Sequence, residues 1–276
     1  MAELTKANPD AVAVFTTACD QMRRAADATV SSPNAHVFLF NLPATWQTPA
    51  ARRLYHAEVQ RLGRFLEGLG GRAPTDTELK AVIEEHDNRR TKLREAIRHG
   101  NARQYVQALK NFFRDGSETI PKANTGSTAG RVPLAVLGGP LLPSQWSLFD
   151  AIESVGGCAA LNAIEPGERC LLPPWRGSAD GESSLAALAD HYFDNIVDVF
   201  QRPNSRLYEW LSARLTERGV RGIVLWVHIG CDLWRAEAAS LRETFGLPLL
   251  VLESHEIGAG SLRDTNRLAA FIESLQ

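Results

Sequence analysis

Cysteine is scarce in this chain: four in 276 residues, at positions 19, 158, 170 and 231. They form no CxxC and no close Cys/His cluster, so a zinc finger or dithiol redox motif has no basis here. Long apolar runs are missing too. No run approaches the roughly 18 residues that a membrane span requires. The opening residues do not read as a secretory signal, because "AVAVF" is too short and Asp10 and Asp20 flank it. Charge of one sign is also lacking. Thirty basic residues stand against 32 acidic ones, for a net charge of −2, and nothing favours a polyanionic partner. There is no GxSxG, HExxH or GxGxxG. These absences imply a cytoplasmic protein without a membrane or nucleic-acid partner. They also leave serine or cysteine hydrolase chemistry without support.

What is present is ordinary globular composition, 44% hydrophobic and 22% charged, over a length that suits one or two domains. Short, mostly continuous apolar runs occur at Ala11–Thr16, His36–Asn41, Val132–Leu137, Cys158–Ala163, Gly222–Val227 and Pro248–Leu252. Continuous rather than alternating runs suit strands buried on both faces of a parallel sheet. Helical patterns lie between them. "LLPSQWSLFDAIESVG" offers Ser144 as N-cap and Gly156 past the end. "RPNSRLYEWLSARLTERG" places Leu207, Trp210, Leu211 and Leu215 on one face and stops at Gly219. Between 50 and 115 there is no strand-like run. Thr75 with Glu78 forms a capping box, ahead of an apolar stripe at Leu79, Val82, Ile83 and Leu93, and two or three long helices are expected. "DGSETIPKANTGSTAGR" (115–131) reads as a linker. The fold class is α/β: two Rossmann-like parallel-sheet domains with a helical connection, the first incomplete. Residues 1–125 form an N-terminal α/β part plus long helices, and residues 126–276 a C-terminal Rossmann-like domain. Two strands before the helices are few for an independent core.

One local pattern occurs twice. An apolar run, a Cys-Asp pair, an Arg- and Ala-rich stretch and a second apolar run appear around Cys19 and again around Cys231. Cys19 to Val37 and Cys231 to Leu249 span the same eighteen positions. Each cysteine follows a strand and precedes a helix, where open α/β sheets bind ligands. Asp20 and Asp232 are plausible N-caps. A thiol beside a helix N-terminus sees partial positive charge, which favours the thiolate that ligates iron or zinc. Two such positions could converge on one site. Burial is the plainer reading of a cysteine near a strand end. It is the one adopted for Cys158, which opens a strand, and for Cys170, in a loop. "LGGPLLPSQW" places Gly138 and Gly139 between a strand and a helix, which suits either a close backbone approach to a ligand or a simple tight turn. His36, His228 and His255 lie near strand ends and could line a cleft. Trp46, Trp226 and Trp234 read as core.

In order and spacing, "TTACD" with "VFLFNLP", "YHAEVQRLGRFLEGLGGRAPTDTELKAVIEEHDNRR", "PLAVLGGPLL", "GIVLWVHIGCD", "LPLLVLE" and "TNRLAAFIE" resemble the D-component family of 2-hydroxyacyl-CoA dehydratases, which includes the benzoyl-CoA reductase subunits. The resemblance covers most of the chain. It implies two α/β domains flanking a [4Fe–4S] cluster held by three cysteines, a heterodimer with a second subunit, and an ATP-dependent iron–sulfur activator that injects an electron. The dehydratases of this family remove water from an (R)-2-hydroxyacyl-CoA through ketyl radicals, and the reductases donate electrons to an aromatic acyl-CoA ring. By position, Cys19 matches the second cluster cysteine and Cys231 the third. Gly138 and Gly139 match a cleft-facing, substrate-binding loop. The family's first cluster cysteine lies well ahead of Cys19. The eighteen residues before Cys19 contain no cysteine, so the expectation is a family member with a short first domain. The implied activity is that of a lyase or an acyl-CoA reductase subunit. Its alternative is a non-catalytic, cluster-free partner or scaffold subunit. A zinc or redox site on two cysteines is the weakest option.

Overall fold

The computed structural model describes residues 12–31, 35–96, 102–116, 130–179, 181–254 and 262–276. Ala11, most of the 115–131 linker and His255 lie outside them. The elements run β1 (Val12–Thr16), α1 (Asp20–Val30), β2 (His36–Phe40), α2 (Pro49–Gly68), α3 (Asp76–Ala96), α4 (Ala102–Asp115), β3 (Val132–Pro140), α5 (Ser147–Ser154), β4 (Gly157–Glu165), α6 (Ser184–Asp194), α7 (Ser205–Glu217), β5 (Gly222–His228), α8 (Asp232–Phe245), β6 (Leu249–Ser254) and α9 (Leu262–Glu273). Short 3₁₀ turns occupy Pro143–Gln145 and Glu168–Cys170. The fold is α/β with two parallel sheets. The chain forms two compact units: Met1–Glu84 with Trp175–Ser205, and Glu85–Pro174 with Arg206–Gln276.

In the first unit β1 and β2 pair in parallel, Val12 opposite His36 through Thr16 opposite Phe40. Phe38 and Phe40 are buried with Ala51 and Tyr55 of α2 and with Ala189 and Phe193 of α6. Thr48 caps α2 by accepting from the Ala51 N–H at 3.1 Å, and Pro49 fills the first helical turn, where its missing N–H costs nothing. Buried Glu58 of α2 accepts from the Asn41 N–H at 2.8 Å and from Arg61 at 2.6 Å, which pins the exit of β2. Burial pushes the Glu58 carboxyl up. The Arg61 and Asn41 bonds outweigh it and hold the group below the ordinary carboxylate value. The capping box forms as the spacing implies: the Thr75 N–H donates to Glu78 at 2.8 Å, and the Glu78 N–H donates to Thr75 Oγ1 at 3.3 Å. Along α3, Ile83 and Leu93 are buried while Val82 is exposed, so the apolar stripe is narrower than the sequence pattern.

The second unit holds a four-stranded parallel sheet in the order β4-β3-β5-β6. Residues 222–227 of β5 are all buried, the condition that a continuous apolar run anticipates. A core cluster joins Leu134, Val136, Val224 and Trp226 of the sheet to Phe149 and Ile152 of α5 and to Leu268 and Ile272 of α9. Ser144 is not the cap of α5. It lies within the 3₁₀ turn that Pro143 opens, and α5 starts after Trp146. Gly156 does follow the helix, with φ +89°.

Candidate functional site

After β3 the chain adds β4 on one side, then returns to place β5 on the other. The order therefore reverses between β3 and β5. In open α/β sheets such a reversal parts the loops at the carboxyl ends of the strands and leaves a crevice for ligands. Gly138 and Gly139 lie at that end of β3. His228, Cys231 and Trp234 lie at that end of β5 and in the first turn of α8.

The two glycines do different work. Gly138 pairs with Trp226 and has φ +135°. A Cβ there would sit 1.9 Å from the Trp226 carbonyl oxygen, so any side chain would force β3 and β5 apart. Gly139 has no such strain. A Cβ would meet His228 and Trp234 at an ordinary 3.7 Å. Between Leu137 and Pro140 the register with β4 shifts, and two residues of β3 pass where β4 has one. The pair is thus a β-bulge inside a strand that runs to Pro140, rather than a turn after it. Bulges break the ladder and re-aim the chain. Side chains bond to backbone carbonyls on either side of the bulge. The His228 Nε2–H donates to the Pro140 carbonyl. Arg169 donates from Nη2 to the Gly138 carbonyl at 2.9 Å and from Nε to the Ala163 carbonyl at 2.6 Å. Its guanidinium lies 4.9 Å from the centre of the Trp234 ring. Arg169 is buried and belongs to the 3₁₀ turn after β4. Sequence reasoning missed it, because no motif flags an arginine whose partners are backbone carbonyls.

Each cysteine of the repeated pattern is an N-cap, three residues past its strand: Cys19 after β1 and before α1, Cys231 after β5 and before α8. Their carbonyls accept the first helical bonds, from Arg23 at 3.3 Å and Arg235 at 3.2 Å. Neither side chain makes a capping bond, and both residues are half-buried. Asp20 and Asp232 are therefore the first helical residues and not the caps, a displacement of one position. There they still complement the helix dipole. In the first unit the turn before Cys19 is held to the exit of β2. The Thr17 N–H donates to the Phe40 carbonyl at 3.0 Å, and Thr17 Oγ1 accepts from the Leu42 N–H at 2.9 Å.

Other flagged residues lie elsewhere. His36 begins β2, at the far end of the parallel pair from Cys19, and is exposed. Cys158 is near the start of β4, again the far end, and burial pushes its thiol up. Cys170 ends the 3₁₀ turn that carries Arg169. Trp226 and Trp234 are buried, and Trp46 Nε1–H donates to the Pro203 carbonyl at 2.8 Å. None of the four cysteines forms a disulfide.

Residues 1–275 match the profile of the family described as 2-hydroxyglutaryl-CoA dehydratase, D-component. The chain belongs to this family. No curated protein matches it. Membership in the D-component family supports a subunit of a 2-hydroxyacyl-CoA dehydratase, with a partner subunit and an acyl-CoA substrate. Among the described residues no helix is long and apolar enough to cross a membrane. A [4Fe–4S] cluster, which the family implies, is held by thiolates, commonly four. Among the described residues no group of three or more His, Cys, Asp and Glu is arranged to hold a metal ion. Cys19 and Cys231 are both half-buried free thiols. The described residues do not by themselves fit a whole cluster.

Proposed function

We propose that this D-component chain is the iron–sulfur subunit of a radical dehydratase acting on an (R)-2-hydroxyacyl-CoA, with Cys19 and Cys231 each supplying one thiolate. The rest of the donor set comes from outside the described residues. The observation that carries the reading is the matched placement of the two cysteines, each an N-cap three residues beyond a parallel strand and without a side-chain capping bond.

The substrate end of the reading rests on the bulge. Gly139 presents backbone without a side chain between His228 and Trp234, so a flat group such as a thioester can approach the chain closely. His228 and Arg169 fix the carbonyls on either side of it, and the bulge therefore keeps one shape when a ligand arrives. The partner subunit and an ATP-dependent activator complete the system. A related aromatic acyl-CoA reductase would use the same chain elements. A second reading, a cluster-free partner subunit, is favoured by one observation: two thiolates are fewer than a cluster takes.

The test is turnover. The chain, purified with its partner subunit and reduced activator, is expected to convert an (R)-2-hydroxyacyl-CoA to the 2-enoyl-CoA. Cys19→Ala and Cys231→Ala should each abolish product, while Cys158→Ala, at the far end of the sheet, should keep it. Full turnover by both cysteine variants would refute the ligand assignment and leave the cluster-free reading.

A further inference from the structure

We propose that Arg169 is a positioning residue that locks the Gly138–Gly139 bulge to the helix that Cys231 caps, and so sets the substrate-facing backbone and the cysteine loop as one piece. The inference rests on the reading of the bulge as the acyl-CoA site.

The bulge creates the need. Where β3 passes two residues against one of β4, the ladder is irregular, and backbone groups there need a fixed partner to hold one shape. One planar guanidinium bonds two carbonyls flanking the bulge, Gly138 on β3 and Ala163 on β4. The fork geometry of arginine suits two acceptors at fixed positions, which a lysine ammonium does not match. That same guanidinium lies over the Trp234 ring, in the first turn of α8. Trp234 also packs at the open side of Gly139. Arg169 therefore touches β3, β4 and α8 with one rigid group, and it is buried, so the contacts are not traded for water. The cysteine loop is tied in from the strand side: the Cys231 N–H donates to the His228 carbonyl at 3.0 Å while the His228 ring holds Pro140.

Hydrogen exchange on the full chain, without metal or substrate, reads this lock segment by segment. Arg169→Met is compared with Leu211→Ala, a core change on α7 of the same unit, at denaturant concentrations giving equal global stability. The expected result is exchange at least about ten-fold faster in segments 138–142 and 229–236 of Arg169→Met than in the control, with 222–227 unchanged. Arg169→Lys should remain fast in both segments. Exchange in both segments that matches the control would overturn the proposal, as would full protection in Arg169→Lys, since charge alone would then suffice. Should Arg169→Met fail to fold, Trp234→Leu removes the ring under the guanidinium and keeps both carbonyl bonds. It is expected to loosen 138–142 as well as 229–236, and loosening confined to 229–236 would overturn the lock. Adding a 2-hydroxyacyl-CoA to the parent separates the two readings: no added protection at 138–142 sinks the substrate assignment and leaves the exchange comparison intact.

Discussion

Gly138→Ala is the sharpest perturbation of the candidate site. The new Cβ would lie 1.9 Å from the Trp226 carbonyl oxygen, a backbone atom of the paired strand, so β3 and β5 must separate. Overpacking of this kind costs about 1–3 kcal/mol. The φ of +135° adds strain of about 1–3 kcal/mol for any residue with a Cβ. Together the loss is roughly 2–6 kcal/mol, a large share of the 5–15 kcal/mol that typically holds a domain together. At about 2–4 °C per kcal/mol for a unit of this size, the second unit should melt roughly 5–20 °C lower. Gly139→Ala is the internal control. Its Cβ meets His228 and Trp234 at 3.7 Å, ordinary contact, and its melting should move by no more than about 2 °C. Scanning calorimetry of both variants reads the unit's transition directly. Equal shifts in the two, or a parent-like Gly138→Ala, would refute the bulge geometry.

The first unit should weaken in acid through Glu58. Its folded carboxyl lies below the 4.5 of an ordinary glutamate, so its stabilisation is complete above about pH 4.5 and is lost as pH falls further. Glu58→Gln should flatten that acid limb in denaturant titrations between pH 3 and pH 6, and an unchanged slope would contradict the assignment. Thr48→Ala removes the cap of α2 and should cost about 1 kcal/mol in the same titrations. Burial raises the Cys158 thiol, so iodoacetamide at pH 8 should label it far more slowly in folded than in unfolded protein, and equal rates would count against the burial.

The strands were legible because their runs are continuous, and the structure shows why: residues 222–227 are covered on both faces. The Thr75–Glu78 box was legible because both partners lie within one turn. Ser144 misled because Pro143 opens a 3₁₀ turn first, which delays α5 past Trp146. Asp20 and Asp232 misled by one position, since an aspartate just inside a helix and one just outside it look alike in sequence. The two cysteines were visible as a repeated pattern, and each does follow a strand and precede a helix. Arg169 was not visible. Its acceptors are carbonyls 31 and 6 positions away, and the demand for it arises from a register shift that only strand pairing creates. His228 showed as a residue at a strand end, while its partner, the Pro140 carbonyl, lies 88 positions away and was out of reach of any local pattern.

Iron and acid-labile sulfide per chain, measured with an EPR spectrum on protein purified without oxygen together with its partner subunit, test the ligand assignment most directly. The Cys19→Ala, Cys231→Ala double variant in the same complex is the control. The expected result is a cluster signal in the parent and loss of about four irons per chain in the double variant. The same iron content and the same spectrum in both would show that these two cysteines hold no cluster.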